Sequence, residues 1–390
     1  MATAGRSRRR ELTGQRAAGA SSLAGVSEPS EFPGEVEFRL IPIPASIQDG
    51  DAGDFIAMVA VRNETFRLIS GHDDHALSAA ELLPHFQPTA LATRFLWLVL
   101  EGGRSVGRVG LDLPHEGAEK MALTFIELHP DVWGRGIGTR ALALVEQTAK
   151  QDGRSVLQCY AEHPQEPGPR LEAPTGFGSI PAQGHAARFL QARGFSLEQV
   201  ERGSVLDLAT GTEQVEPLLA QARAASSDYR IVSWFAPTPP EYVEGYALLE
   251  SRMSTDAPAA DLEVDEEIWD AERVARNDAL YTEAGRTLHV VAAQHLATRQ
   301  LCAFNELAIG IDRTEASHQE DTLVLREHRG HRLGLLVKCE NLLRWREIAP
   351  DSPRVLTYNA EENRPMLSIN EVIGFVPQSY EGAWKKPLTP

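Results

Sequence analysis

Trp133-Gly134-Arg135-Gly136-Ile137-Gly138 and Arg329-Gly330-His331-Arg332-Leu333-Gly334 are the two stretches that decide how this chain folds. The first leads into Thr139-Arg140-Ala141-Leu142 and the second into Leu335-Leu336-Val337-Lys338. Superposing Gly138 on Gly334 sets an offset of 196 residues (334 − 138), which aligns Gly134 with Gly330 and Ile137 with Leu333. A strand-like run precedes each turn, Leu123-Thr124-Phe125-Ile126-Glu127 in one and Thr322-Leu323-Val324-Leu325 in the other. A strand, a glycine turn and a helix start make an anion cradle. The first N–H groups of a helix lack partners within it, and the positive end of its dipole faces the same way.

A glycine turn before a helix also serves as a bare structural turn, a P-loop or a dinucleotide fingerprint. Neither turn carries Gly-Lys-Ser/Thr after four intervening residues, which removes the P-loop. Neither fully meets the dinucleotide pattern of three glycines with an acidic residue about 20 positions on. What remains resembles motif A of the GNAT superfamily of N-acetyltransferases, in which Arg/Gln-x-x-Gly-x-Gly/Ala opens a helix. The resemblance runs from about residue 36 to the C-terminus and takes in both halves. It implies that acetyl-coenzyme A is the co-substrate. Its diphosphate would be held by Trp133, Gly134, Arg135, Gly136 and Gly138 in one copy, and by Arg329, Gly330, His331, Arg332 and Gly334 in the other.

Each copy departs from the pattern once. Trp133 stands where Arg or Gln is usual, and Arg332 stands where the first glycine of the pair belongs. A glycine is required there only if the backbone takes positive φ or approaches phosphate very closely. Arg332 would instead add charge beside phosphate. Downstream, each half has the family's short helix ending in Gly-Phe, at Gly194-Phe195 and Gly374-Phe375. The family's tyrosine acid, four residues before that glycine, is replaced by Leu190 and Asn370.

At 390 residues the chain is long for one domain and comfortable for two, with 42% hydrophobic residues to fill two cores. The net charge of −17 argues against nucleic acid as a partner and suits a cationic, amine-bearing small molecule. Cys159, Cys302 and Cys339 lack metal-like spacing and read as reduced cytoplasmic thiols, so no metal is expected. No apolar run approaches a membrane span. Residues 1–35, with Arg6-Ser7-Arg8-Arg9-Arg10, read as a disordered basic tail.

The order of elements predicts a mixed α/β fold (an α+β mixed sheet) in two tandem acetyltransferase-fold domains, at 36–212 and 229–390, joined by a helical linker at 213–228. Helices are expected at Asp54–Arg62, Ser78–Phe86, Pro240–Met253, Glu266–Glu283 and Arg364–Val372. The Pro/Gly-rich stretch His163–Gly184 reads as a loop beside the acyl site.

Acyl transfer to a lysine-like amine must first expose a lone pair, at roughly 4.6 kcal/mol for a pKa near 10.4. It also needs donors for the oxyanion. Glu127 sits where many family members keep a base, and the offset places Leu323 there in the second copy. Asp321 and Glu320 are the base candidates in that copy, with a surface carboxylate as the alternative for each. Asn359, Asn363 and Asn370 form the more distinctive set, since the family uses an asparagine here to bind the pantetheine arm or polarise the substrate. Asn363, just before Arg364-Pro365, equally suits an N-cap. The acidic run Asp261–Glu267 fits a solvated helix start.

The sequence therefore predicts a coenzyme A-dependent N-acetyltransferase acting on the amine of a small molecule, with the second copy catalytic. The alternatives are a natural-product tailoring acyltransferase using another acyl thioester, and a non-catalytic acyl-coenzyme A-binding protein. Oligomeric state stays open.

Overall fold

The computed structural model describes residues 35–89, 91–115, 120–264 and 267–388. The basic tail, apart from Glu35, lies outside the described residues, as do Asp265 and Glu266 of the acidic run. The described chain forms two compact units. One is Tyr160–Lys386, and the other ends at Cys159 but takes in Pro387.

The first unit contains β1 (Val36–Leu40), α1 (Gly53–Ser70), α2 (Ala79–Leu82), β2 (Ala92–Glu101), β3 (Arg104–Pro114), β4 (Met121–Leu128) and α3 (Ile137–Gln151). β5 (Val156–His163) begins in it. β1 to β4 pair antiparallel in chain order, and β5 joins β4 in parallel from Met121↔Val156 to Thr124↔Cys159. Burial is dictated by periodicity. In α3 the buried residues are Ile137, Ala141, Leu142, Val145 and Ala149, a single stripe at spacings of three and four.

The second unit contains β6 (Arg170–Glu172), β7 (Ser179–Pro181), α4 (His185–Ala192), β8 (Ser196–Asp207), α5 (Val215–Ala224), β9 (Tyr229–Phe235) and α6 (Pro240–Asp256). It continues with α7 (Ala271–Thr282), β10 (Thr287–His295), β11 (Leu301–Ile309) and β12 (Ser317–Val324). α8 (Leu333–Ile348), β13 (Arg354–Ala360), α9 (Arg364–Ile373) and β14 (Val376–Pro387) complete it. Its strands run in the order β14-β8-β13-β12-β11-β10-β9. The stretch expected as a loop at 163–184 holds the β6–β7 hairpin.

The compact units divide after Cys159, some fifty residues before the division at 212/213 expected from the repeat. The reason is strand pairing. β8 lies antiparallel to both β13 and β14, from Arg354↔Asp207 to Ala360↔Glu201 on one side and from Val376↔Val205 to Lys385↔Ser196 on the other. α5, within the stretch expected as a linker, is itself a core element. Its Val215, Leu218, Leu219 and Ala222 share one apolar cluster with Leu335, Leu336, Cys339 and Leu342 of α8.

Candidate active site

The two glycine turns have one backbone conformation. Each begins with a short 3-10 turn, Pro130–Val132 or Arg326–His328, and then extends at Trp133 (φ −64, ψ 151) or Arg329 (φ −70, ψ 157). The helix N-cap is left-handed in both, Gly136 at φ 81 and Arg332 at φ 55. The substitutions read from the sequence acquire physical reasons here. The Trp133 indole donates from Nε1 to the Leu128 carbonyl at 2.9 Å, and the Arg329 guanidinium donates from Nε to the Val324 carbonyl at 3.2 Å. The two donors and the two carbonyls are each 196 positions apart (329 − 133, 324 − 128), so tryptophan makes the same brace across the turn that arginine does.

Arg332 holds a conformation that glycine adopts freely and an L-residue reaches at a cost of about 1 kcal/mol. Arg332→Gly is therefore expected to raise the melting temperature. It should also weaken coenzyme A binding about tenfold by removing a charge-assisted donor to phosphate. Calorimetric titration and thermal melting of the same variant check both signs.

Within the Tyr160–Lys386 unit a cavity of about 530 Å³ opens where β12 and β13 diverge. These parallel strands pair only at Ser317↔Val355 and His318↔Leu356, and beyond that point Gln319–Val324 and Thr357–Ala360 line opposite walls. The Gln319 amide still donates across the gap to Thr357 Oγ1 at 2.9 Å. Arg329, Gly330, Arg332 and Gly334 border this cavity, and so do Asp321, Asn359 and Asn363. His331 is not among its lining residues; it is exposed and its ring faces Tyr229. Asn370, fully buried, sits behind Asn359 and donates from Nδ2 to its Oδ1 at 2.7 Å. Asn363 occupies the N-cap position of α9, yet its side chain makes no capping hydrogen bond.

Asp321 stands at a break in the ladder. β11 and β12 pair at Asn305↔Thr322 and next at Leu307↔Gln319, so Glu306 alone faces Glu320 and Asp321. Such a bulge re-aims side chains and frees backbone groups from the ladder. The Asp321 amide turns to Glu306 Oε2 at 3.4 Å. The matching β3–β4 ladder of the first unit runs without a shift from Gly107↔Leu128 to Asp112↔Leu123.

Sequence spacing did not expose the acidic group behind this bulge. Carboxylate oxygens of Glu250, Glu306 and Asp321 lie within 4.8 Å of one another, all three residues buried. The Tyr246 hydroxyl donates to Glu306, and burial, with the Asp321 charge adding to it, pushes the Glu306 carboxyl well above its ordinary range. The folded state thus keeps a proton that the unfolded chain releases as pH rises past the ordinary value of 4.5. That contribution to stability is complete in acid and is lost as pH rises. Glu306→Gln, which supplies a permanent neutral amide, should stabilise by roughly 1–3 kcal/mol at pH 8 and by almost nothing at pH 4. Melts at the two pH values test the sign.

The remaining sequence candidates, Trp133, Gly134, Arg135, Gly136, Gly138 and Glu127, lie in the first unit. Its Arg135 bonds Glu101 at 2.9 Å and the Asp131 carbonyl at 3.0 Å. Glu127 is buried against Arg108 Nε at 2.6 Å, and the same guanidinium lies 4.4 Å over the Phe125 ring. Sequence reasoning also passed over Lys338, a lone cation in the run Leu335-Leu336-Val337-Lys338-Cys339 and fully buried. Burial pushes its amine down to about 7. Asp256, which holds Arg326 and Arg329 at 3.0 Å each, was likewise passed over.

Residues 57–169 match the model of the acetyltransferase (GNAT) family. The fold matches a tandem GNAT protein from the clavulanic acid biosynthesis pathway at 24% identity, over 91% of this chain and 99% of that one, with a TM-score of 0.69. A GCN5-related N-acetyltransferase from Sphaerobacter thermophilus matches at 13% identity over 91% and 96%, with a TM-score of 0.57. The GCN5-related glucosamine N-acetyltransferase region of a fungal multi-domain β-N-acetylglucosaminidase is 13% identical, covering 92% of this chain and 39% of that one, with a TM-score of 0.55. No curated protein matches by sequence. Residues 57–169 are thus similar to the GNAT family, and most of the chain shares the fold of a tandem GNAT protein. Among the described residues no helix is long and apolar enough to cross a membrane.

Proposed function

We propose that this chain transfers an acetyl group from acetyl-coenzyme A to the amine of a small molecule, and that turnover occurs in the Tyr160–Lys386 unit. One observation carries the reading. A single cavity is lined both by the anion-cradling turn and helix start and by Glu320 and Asp321 at a bulge.

The residues fit the donor. A side-chain stub on Gly330 would meet nothing within 4 Å, so the turn leaves room against its backbone for a diphosphate. The first-turn amides of α8 and the guanidinium of Arg332 suit that charge. Asn359 and Asn363 offer amide groups along the splay, where a pantetheine arm can add to the open strand edges. When bound, the co-substrate supplies the acyl thioester.

The chain's own part is positioning and proton transfer. Asp321, as carboxylate, takes a proton from the substrate ammonium and frees the lone pair that forms the new C–N bond. As the C–S bond breaks, the new amide nitrogen sheds its second proton and the thiolate takes one up. Asn370, at the position of the family's tyrosine, is turned to Asn359 and Lys338, so we assign that proton to solvent. The first unit, with its unshifted β3–β4 ladder and paired Glu127, serves as a second coenzyme A-binding or supporting half.

Release of free thiol from acetyl-coenzyme A across a library of amines tests the proposal. Tight binding of coenzyme A with no thiol release from any amine would convert the reading to a non-catalytic one. Because the tandem GNAT relative belongs to a natural-product pathway, longer acyl thioesters belong in the same assay. A preference for one of them would favour the tailoring alternative.

A further inference from the structure

Lys338 is buried completely on α8, one turn beyond Gly334, and none of the steps above uses it. Replacing such an amine by an apolar side chain of similar volume is commonly neutral or stabilising, so its presence calls for a reason. Its one hydrogen bond among the described residues runs from Nζ to Asn370 Oδ1 at 2.8 Å. Asn370 in turn donates from Nδ2 to Asn359 Oδ1 at 2.7 Å, and Asn359 borders the cavity.

The chemistry of the three groups imposes a direction. An ammonium has donors and no lone pair, so the amide facing it must present oxygen. With its oxygen committed to Lys338, Asn370 can offer only N–H to Asn359. Asn359 must then accept through oxygen, which leaves its own Nδ2 hydrogens as the group it can offer the cavity. Reversing either amide would set donor against donor or oxygen against oxygen in a buried site, at the cost of an unmade hydrogen bond.

We infer that Lys338 is a positioning residue that fixes the polarity of the Asn370–Asn359 relay, so that Asn359 presents an N–H donor to a carbonyl oxygen of the ligand in the cavity. The inference rests on the coenzyme A site proposed above, whose pantetheine arm and thioester are the part of the ligand that carries carbonyl groups. Burial lowers the amine to about 7, so the ammonium that sets this direction is the form present below neutral pH, with the Asn370 oxygen receiving its hydrogen bond.

The experiment is calorimetric titration, at about pH 6, of the full chain with two ligands. Coenzyme A has the carbonyl-bearing arm, and 3′-phosphoadenosine 5′-diphosphate has the diphosphate without it. Lys338→Met should weaken coenzyme A binding about tenfold and leave the nucleotide unchanged. Asn359→Leu should do the same, and the double variant should be no weaker than Asn359→Leu alone, since one residue acts through the other. Equal weakening of both ligands would reduce Lys338 to a packing role and overturn the inference, as would additive losses in the double variant. Unchanged binding would overturn it while leaving the coenzyme A site standing. A wild-type chain that binds neither ligand would overturn the site and the inference together. Should the methionine variant fail to fold, Lys338→Gln fills a similar volume without a fixed polarity and is read in the same way.

Discussion

Gly334→Glu is expected to lower thiol release by roughly 100-fold or more, while Gly138→Glu leaves most of it. Gly334 lies in the first turn of α8, where a new Cβ would come within 3.0 Å of Ile369 Cδ1 and 3.5 Å of Val324 Cγ2. That contact asks the Ile369 methyl group to shift by a few tenths of an ångström. The charge is the larger effect. A carboxylate there occupies the positive end of the helix, where the diphosphate should bind, and like charges about 4–5 Å apart repel by some 3–4 kcal/mol at an effective dielectric of 20. That energy is a factor of 100 to 1,000. Circular dichroism separates loss of binding from loss of fold, and the loss should appear in coenzyme A affinity as well as rate. Gly138→Glu places the same charge at the start of α3 in the other unit, whose own β3–β4 ladder carries no bulge. If Gly138→Glu silenced the protein and Gly334→Glu spared it, catalysis would belong to the first half.

What was readable from the sequence follows from how strongly each feature constrains residue type. Left-handed backbone at Gly134, Gly136 and Gly330 nearly demands glycine, so the turns stand out, and a periodic apolar stripe such as that of α3 marks its helix. The tandem fold followed from these, because the same constraints recur at a fixed offset. Pairing choices leave no such mark. β8 (SLEQVERGSVLD) carries no apolar alternation, and nothing in its residues says that it will lie between β13 and β14. The bulge at Glu320 and Asp321 is one added residue in a ladder, invisible until the partner strand is known. The equivalence of Trp133 and Arg329 escaped notice because the shared property is a single N–H aimed at a carbonyl five residues back, which very different side chains provide. Lys338 was noticeable as a cation amid apolar residues. Its direction of burial was not, since α8 is buried from Leu333 to Leu342 and has no polar face there to set it against.

Asp321→Asn should reduce turnover by a factor of about 100 to 10,000 while coenzyme A affinity stays within twofold, the signature of losing a proton acceptor and not a binding group. The case for Asp321 over its neighbours is geometric. Asp321 and Glu320 both border the cavity, but Glu320 lies 4.0 Å from the buried guanidinium of Arg286, which competes for its lone pairs. Glu306, on the far side of the bulge, is held protonated by burial and cannot accept a proton itself. Its neutrality serves Asp321, because a second anion packed against that carboxylate would raise the cost of its charge. Asparagine keeps the shape of the side chain and removes the acceptor, so the rate should fall at saturating donor and amine with the melting temperature near that of the parent. Glu320→Gln, made beside it, should lose less than tenfold. A loss under fivefold in Asp321→Asn would remove Asp321 from the reaction. A larger loss in Glu320→Gln would transfer the role one residue along the bulge. Equal losses in rate and in coenzyme A affinity would mean that the carboxylate shapes the cavity and does not take the proton.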